Sequence, residues 1–516
     1  MLPTGSGGAS FSAVLENETA LQRFVADIIG IIEPGDLVTL SGDLGAGKTT
    51  FTRAAIRQLA GDETVAVPSP TFTLVQSYDL PRFPVVHADL YRLVDESELE
   101  ELGFDDLPEN AVVFMEWPDR AGRLLRRDRI DISLSMAPKG SLDVRNVRVT
   151  GYGRAAPRVE RLGAIRRLLA ESGFANAELQ KIPGDASMRS YRRIRAGNQA
   201  AILMDSPRRP DGPPVRDGKP YSAIAHLAED IKPFIAMARG LRSYGFSAPE
   251  IYHFDLDHGL VLLEDLGDQL VVEGDPPRPI EDRYAAAVDL LVSLHMQALP
   301  HVLPVTDDIA YEIPRYDMEA FLIEVELLLD WFVPRAGATL PTGVREAFLV
   351  LWREALEPAV STLPTWVLRD YHSPNLLWLP ERKGIARLGL LDFQDALIGP
   401  AAYDLASLLQ DARVDIPELV ELALLGRYTR RRREADPDFD PAAFAALYAT
   451  LAAQRATKIL GIFARLDKRD GKPQYLRHMP RVWRYLKRSL AHPGLAALAA
   501  WYMLYVPDLQ PNTNQK

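Results

Sequence analysis

The sequence predicts an α/β domain followed by a two-lobed α+β domain, and three observations carry that prediction. Short β-branched runs at residues 36–40, 84–87 and 111–115 alternate with helical segments, the pattern of a parallel sheet wrapped by helices. The texture changes after the stretch Gly151-Tyr152-Gly153-Arg154-Ala155-Ala156-Pro157. Residues 178–182, 190–195 and 200–204 then read as successive strands of a small antiparallel sheet, and from Arg283 onward a helical period broken by prolines dominates. Two unrelated sets of chemistry-bearing residues fall on either side of that stretch. A second Pro- and Gly-rich segment, residues 207–220, does not separate them and reads as a surface loop of the small lobe. The predicted organisation is a tail (1–10), a first domain (11–152), a linker (153–160), a second domain (161–506; small lobe 161–268, large lobe 269–506) and a tail (507–516).

Composition bounds the function. The 516 residues, 47% of them apolar, suffice for several cores. With 70 acidic and 59 basic side chains the net charge is -11, which disfavours broad attachment to nucleic acid or anionic membrane. The absence of cysteine excludes disulfides, thiolate metal sites and cysteine nucleophiles and suits a reducing, cytoplasmic compartment. Residues 1–10 lack the basic and apolar regions of a signal peptide. The longest apolar run, residues 495–506, is too short to cross a bilayer and is expected as a buried C-terminal helix.

In the first domain, Gly42-Asp43-Leu44-Gly45-Ala46-Gly47-Lys48-Thr49-Thr50 has P-loop spacing, with a strand leading in and a helix leading out. Small residues let the backbone wrap phosphates and amides at the helix start point at them. Lys48 neutralises the β- and γ-groups, and the Thr49 hydroxyl suits magnesium. Asp89 and Glu116 end two apolar strands, where both would face the nucleotide crevice to hold magnesium or orient water. These residues read as an ATP-binding P-loop NTPase.

The P-loop, Ser69-Pro70-Thr71-Phe72-Thr73, His87-Ala88-Asp89-Leu90-Tyr91-Arg92-Leu93 and Glu116-Trp117 together resemble the TsaE ATPases of tRNA threonylcarbamoyladenosine synthesis. The resemblance implies slow ATP hydrolysis in support of TsaB and TsaD, which modify adenosine 37 of tRNA. It implies Lys48 and Thr49 as phosphate and Mg2+ ligands, Glu116 as a further Mg2+ ligand, Asp89 in hydrolysis and Thr71 in a switch-like loop. Thr19 matches a family threonine near the nucleotide, and an ordinary helix N-cap explains it equally well.

In the second domain, Arg369-Asp370-Tyr371-His372-Ser373-Pro374-Asn375 and Asp392-Phe393-Gln394 form a kinase-like catalytic set. Asp370 is placed to accept a substrate hydroxyl proton, while Asn375 and Asp392 suit Mg2+. Leu368 and Gln394 stand where protein kinases carry histidine and glycine. The loop instead resembles the aminoglycoside phosphotransferase superfamily, a protein-kinase-like fold acting on small-molecule hydroxyls. Residues 184–191, with Ser187 and Arg189, occupy the place of the nucleotide-covering loop, and residues 262–267, with Glu264, resemble the hinge that meets adenine. The strand at residues 200–204 lacks the phosphate-pairing lysine. Either a cation such as Arg189 replaces it, or nucleotide is held differently, or the domain is a pseudokinase regulating the ATPase; the intact base and metal residues argue against the last.

The loop Gly-Asp-Ala-Ser-x-Arg-x-Tyr, residues 262–267, the catalytic loop, Asp392-Phe393-Gln394-Asp395, Tyr403-Asp404-Leu405-Ala406-Ser407 and Gln454-Arg455-x-x-Lys458-Ile459-Leu460-Gly461-Ile462-Phe463 together resemble AmgK. That likeness, over about residues 158–505, implies ATP-dependent phosphorylation of the C1 hydroxyl of N-acetylmuramate or N-acetylglucosamine in peptidoglycan recycling. A kinase for an aminoglycoside, choline or homoserine is the alternative within enzymes. An acid-rich pocket would favour those cations, whereas a neutral or basic one suits an N-acetyl sugar acid. The run Arg430–Arg433 reads as a solvated helix face, residues 477–490 as an amphipathic helix burying Val482, Leu486 and Leu490, and His87, His295 and His372 as packing or hydrogen-bonding residues without zinc-site spacing.

Overall fold

The structure, a computed structural model, describes residues 8–93, 104–122, 125, 128–137, 144–183, 189–208 and 212–508. The chain divides into two compact units, residues 1–203 and 204–516. Ser187 and residues 509–516 of the expected tail lie outside the described residues.

The first unit holds a seven-stranded sheet. In chain order its elements are β1 (Ala9–Leu15), α1 (Glu18–Ile31), β2 (Leu37–Ser41), α2 (Lys48–Ala60), β3 (Val75–Tyr78), β4 (Val85–Asp89), β5 (Val112–Glu116), β6 (Arg129–Met136) and β7 (Arg145–Tyr152). The strand order is β1-β7-β6-β2-β5-β4-β3. The expected parallel sheet is its centre: β2 pairs in parallel with β5 and β6, and β4 with β5. The flanks β3, β7 and β1 are antiparallel additions. Central strands that pack on both faces read as unbroken apolar runs, and every residue of β4 and β5 is buried. β1 takes in Ala9 and Ser10, so the expected tail ends earlier than residue 10.

The expected linker at 153–160 is not one. Gly153–Ala155 form a single turn and α3 (Ala156–Glu171) follows directly. Pro157 sits in the first turn of α3, where its missing N–H costs nothing, so it starts the helix rather than breaking the chain. Gly153 has φ +57, and a Cβ there would lie 1.7 Å from Asp128 Oδ1. α3 then packs into the first core: Val159 and Leu162 join Phe24 and Ile28, and Arg158 meets Asp36 at 2.7 Å. This packing carries the first compact unit beyond the expected boundary. After α3 come β8 (Glu178–Ile182), β9 (Ser190–Ala196) and β10 (Gln199–Asp205), matching the expected small-sheet strands and adjacent in the order β10-β9-β8.

The second unit is mainly helical: α4 (Lys232–Ser243), the antiparallel pair β11 (Ile251–Asp255) and β12 (Leu260–Glu264), α5 (Glu281–His295), α6 (Met318–Leu327) and α7 (Val344–Ser361). The hairpin β13 (Leu376–Trp378) and β14 (Leu388–Leu390) follows. Then come α8 (Ala402–Leu409), α9 (Glu418–Ala435), α10 (Pro441–Lys468), α11 (Met479–Leu490) and α12 (Ala496–Tyr505). The residues expected inward on α11, Val482, Leu486 and Leu490, are buried. The C-terminal helix is only partly so: Trp501 and Tyr502 pack inward, while Met503 is 81% exposed. Asp508, expected in the tail, accepts from Lys487 Nζ at 3.2 Å. No described helix is long and apolar enough to cross a membrane.

Candidate active sites

In the first unit the glycine-rich loop joins the end of β2 to the start of α2. Its glycines have positive φ: +136 at Gly42, +79 at Gly45 and +107 at Gly47, the N-cap of α2. Gly42 is also a close approach, since a Cβ would lie 2.2 Å from the Leu134 carbonyl oxygen. A cleft of about 290 Å³ opens here, lined by Leu44, Gly45, Gly47, Lys48, Thr49 and Thr50 from the loop side and by Ser69, Thr71, Asp89, Tyr91, Glu116 and Trp117 opposite. Ala46, which is buried, donates its N–H to the Asp43 carbonyl at 3.0 Å and so braces the turn of the loop. Lys48 Nζ bonds the carbonyls of Gly42 at 2.7 Å and Asp43 at 2.9 Å and lies 3.8 Å from the Trp117 ring centre. Burial lowers its pKa, against the pull of Glu116, Asp89 and Asp43.

Parallel pairing of β4 with β5 sets Asp89 directly opposite Glu116 at the carboxyl ends of both strands. Thr49 Oγ1 donates to Glu116 Oε2 at 2.9 Å, and His87 Nε2 meets Glu116 Oε1 at 2.9 Å. Asp89 Oδ2 accepts from Ser69 at 3.0 Å and Thr71 at 3.2 Å, tying the carboxylate to the loop before β3. The Thr49 and Glu116 oxygens fit a magnesium ion: their 2.9 Å separation matches the edge of an octahedron with arms of about 2.0–2.1 Å. Thr19 is the exception among the expected residues. It is exposed in the first turn of α1, does not line the cleft, and is not the cap; Asn17 is, accepting from Ala20 N at 2.9 Å.

In the second unit the catalytic loop runs into β13. Pairing of β13 with β14 brings Asn375 beside Asp392: Leu391 N donates to the Asn375 carbonyl at 2.9 Å, and Asn375 Nδ2 lies 3.5 Å from Asp392 Oδ2. Asn375 Nδ2 also donates to the Asp370 carbonyl at 2.9 Å, so its amide oxygen is the atom that could ligate a cation. Asn375 and Asp392 thus offer hard oxygens suited to magnesium. Gln394, the residue in place of glycine, donates from Nε2 to Asp392 Oδ1 at 2.8 Å and so orients that carboxylate.

Arg369 and Asp392 both hold left-handed backbone, φ +68 and +58. Such non-glycine conformations persist where neighbours over-determine them. Around Arg369 they do: Asp404 accepts from Leu368 N at 2.6 Å and from Arg369 N at 2.8 Å. The Arg369 side chain pairs with Glu324 of α6, itself fully buried. The same carboxylate takes Lys458 Nζ at 2.6 Å, Gln454 Nε2 at 2.9 Å and the Tyr316 hydroxyl at 2.5 Å. Burial works to raise the pKa of Asp370, but the charges of His372, Lys458, Arg369 and Arg455 together hold it below the usual carboxylate value. His372 is itself driven toward the neutral form, chiefly by burial, so at neutral pH the lysine and arginines carry that effect. His372 Nδ1 lies 2.8 Å from the Asp370 carbonyl and its Nε2 3.0 Å from Arg413.

A family model described as Threonylcarbamoyl adenosine biosynthesis protein TsaE matches residues 15–144, and one described as Phosphotransferase enzyme family matches residues 178–447. An N-acetylmuramate/N-acetylglucosamine kinase of Caulobacter vibrioides is 37% identical over 361 residues, 67% of this chain and 97% of the relative. The tRNA threonylcarbamoyladenosine biosynthesis protein TsaE of Rickettsia felis is 37% identical over 123 residues, 24% of this chain and 71% of the relative. The chain belongs to both families. The kinase of Pseudomonas aeruginosa, 35% identical over 62% of this chain and 87% of its own length, agrees.

The TsaE-family cleft gathers Lys48, Thr49, Thr71, Asp89 and Glu116, as the sequence expects. The phosphotransferase-family site gathers Asp370, Asn375 and Asp392. The Glu264 carboxylate is held by Arg382 and by Arg242 at 3.5 Å, which fixes the segment expected as hinge. Arg189 begins the approach to β9, within the first unit. Sequence reasoning missed Glu324 and the role of Gln394. The first had a faint signal, a glutamate inside an otherwise apolar helix face; the second stood in plain view as a departure from the kinase pattern.

Proposed function

We propose that the chain is a bifunctional enzyme: an ATPase that supports threonylcarbamoyl transfer to adenosine 37 of tRNA, joined to a kinase that phosphorylates the anomeric hydroxyl of N-acetylmuramate or N-acetylglucosamine. The observation that carries it is the presence, in one chain, of two separate carboxylate-centred sites, Asp89 with Glu116 and Asp370 with Asp392, each within its own family's match.

In the first site the reading assigns ATP phosphates to the amides of residues 42–50 and to Lys48, which exchanges the Gly42 and Asp43 carbonyls for phosphate oxygens. Asp89, steadied by Ser69 and Thr71, orients the attacking water. Thr49 and Glu116 hold Mg2+. Proteins of the TsaB and TsaD type are the partners, and they bring tRNA to a chain of net charge -11.

In the second site Asp370 accepts the proton of the sugar C1 hydroxyl as its oxygen attacks the γ-phosphorus. The bond to the β-γ bridging oxygen breaks, and ADP leaves with that electron pair. Asn375 and Asp392 would hold Mg2+, which at either site would neutralise phosphate charge. The reading places adenine at the backbone of residues 264–267. The product serves peptidoglycan recycling in the cytoplasm.

The test is phosphate transfer from labelled ATP to N-acetylmuramate, N-acetylglucosamine, an aminoglycoside, choline and homoserine, with wild type beside Asp370→Asn. Transfer to the N-acetyl sugars that disappears in the variant supports the reading. Transfer to none by folded, ATP-binding protein makes the second unit a pseudokinase module; transfer to a cationic acceptor alone reassigns its substrate.

A further inference from the structure

The buried acids around Asp370 have their partners within the protein. Asp404 accepts two backbone amides, Asp411 accepts Ser373 N at 3.0 Å and Arg413 N at 2.8 Å, and Glu324 takes two cations. Arg455 stands apart. It is only 6% exposed, yet among the described residues it donates no hydrogen bond and has no carboxylate within 4.0 Å. Its nitrogens are not among the sealed, unpartnered atoms, so the guanidinium opens onto accessible space. An arginine cannot shed its charge and carries five N–H donors in a fork matched to carboxylate. Burying it unpaired is costly unless something from outside completes it.

The position of Arg455 is set by its neighbours on α10. Gln454, the residue before it, and Lys458, one turn on, both bond Glu324, the carboxylate that also holds Arg369 next to the base. Arg455 therefore sits beside the catalytic loop. Its positive charge acts on Asp370, His372 and Asp404 alike. A cationic acceptor is repelled by this group and a neutral one offers it only uncharged oxygens, whereas N-acetylmuramate carries a lactyl ether ending in a carboxylate, which N-acetylglucosamine lacks.

We propose that Arg455 binds the carboxylate of an anionic acceptor sugar beside Asp370, giving N-acetylmuramate affinity that N-acetylglucosamine does not share. This rests on the sugar-kinase reading above.

The experiment is calorimetric titration of both sugars into the full chain with Mg2+ and a non-hydrolysable ATP analogue, for wild type, Arg455→Gln and Arg455→Lys. Arg455→Gln is expected to shift the ratio of the two Kd values against N-acetylmuramate by on the order of 10- to 100-fold. Arg455→Lys, which keeps the charge, should restore part of it. Should Arg455→Gln fail to fold, titrating wild type with N-acetylmuramate methyl ester makes the same comparison, with a comparable loss expected. An unchanged ratio overturns the assignment, whether both sugars weaken together or neither does. If binding holds but transfer slows equally for both sugars, the cation serves the phosphoryl group and the assignment is again overturned. Wild type that binds neither sugar sinks the kinase reading itself, a result distinct from an unchanged ratio.

Discussion

Lys458 Nζ lies 2.6 Å from Glu324 Oε1, and that carboxylate has no solvent exposure. Arg369 reaches the same group from the loop before β13, so one buried acid joins α6, α10 and the residue preceding Asp370. The left-handed turn at Arg369 that aims Asp370 is thus held from the side chain by Glu324 and from the backbone by Asp404.

Glu324→Gln tests that arrangement by pH. Burial alone raises the Glu324 pKa, but Lys458 and Arg369 overcome it and pull it to about 2. The folded value lies below that of an unfolded glutamate, about 4.3, so the contribution is present above that pH and fades as pH falls toward 2. At pH 7 the variant leaves two buried cations short of their partner, an expected loss of about 3–5 kcal/mol. Urea unfolding at pH 7 and pH 3 should show the gap narrowing in acid.

Gly461→Ala addresses how α10 reaches α6. A Cβ at Gly461 would lie 2.3 Å from the Leu327 carbonyl carbon, so the helices must part. The expected cost is about 1–3 kcal/mol, with a fall in sugar phosphorylation as Lys458 and Gln454 withdraw from Glu324. Thermal unfolding and kcat measured together check this; a variant as stable and active as wild type would contradict the close approach.

Contiguous motifs made both sites legible in the sequence, because the glycine-rich loop and the span from Asp370 to Asn375 need only local geometry. The strands of the small sheet were equally plain in the sequence. What failed was what depends on distant partners. Gly153 and Pro157 look like a linker, yet one accommodates Asp128 and the other starts a helix. Thr19 stands where an N-cap is expected, yet Asn17, two residues earlier, takes that role. Glu324 has no meaning until Arg369 and Lys458, 45 and 134 residues away, arrive beside it.

Gln394→Leu removes the donor to Asp392 Oδ1 and loosens the hold on that carboxylate oxygen. The Mg2+ concentration giving half-maximal sugar phosphorylation is expected to rise roughly 10- to 100-fold, with activity recovering toward wild type at high Mg2+. Loss of activity with no change in metal dependence would assign Gln394 another role.

Gly42→Ala combines an unfavourable φ with a clash against the Leu134 carbonyl. Nucleotide binding by the first unit, followed by fluorescence of a labelled ADP, is expected to fall by at least about tenfold. Binding equal to wild type would show that the loop tolerates rearrangement.

The central claim is that one chain carries two independent ATP-using sites, and a crossed pair of variants tests it most directly. ATP hydrolysis by the first unit and sugar phosphorylation by the second are measured on full-length Lys48→Ala and Asp370→Asn. Lys48→Ala should abolish the hydrolysis and spare the phosphorylation, and Asp370→Asn should do the reverse. A single substitution that silences both activities in a folded protein would contradict the account.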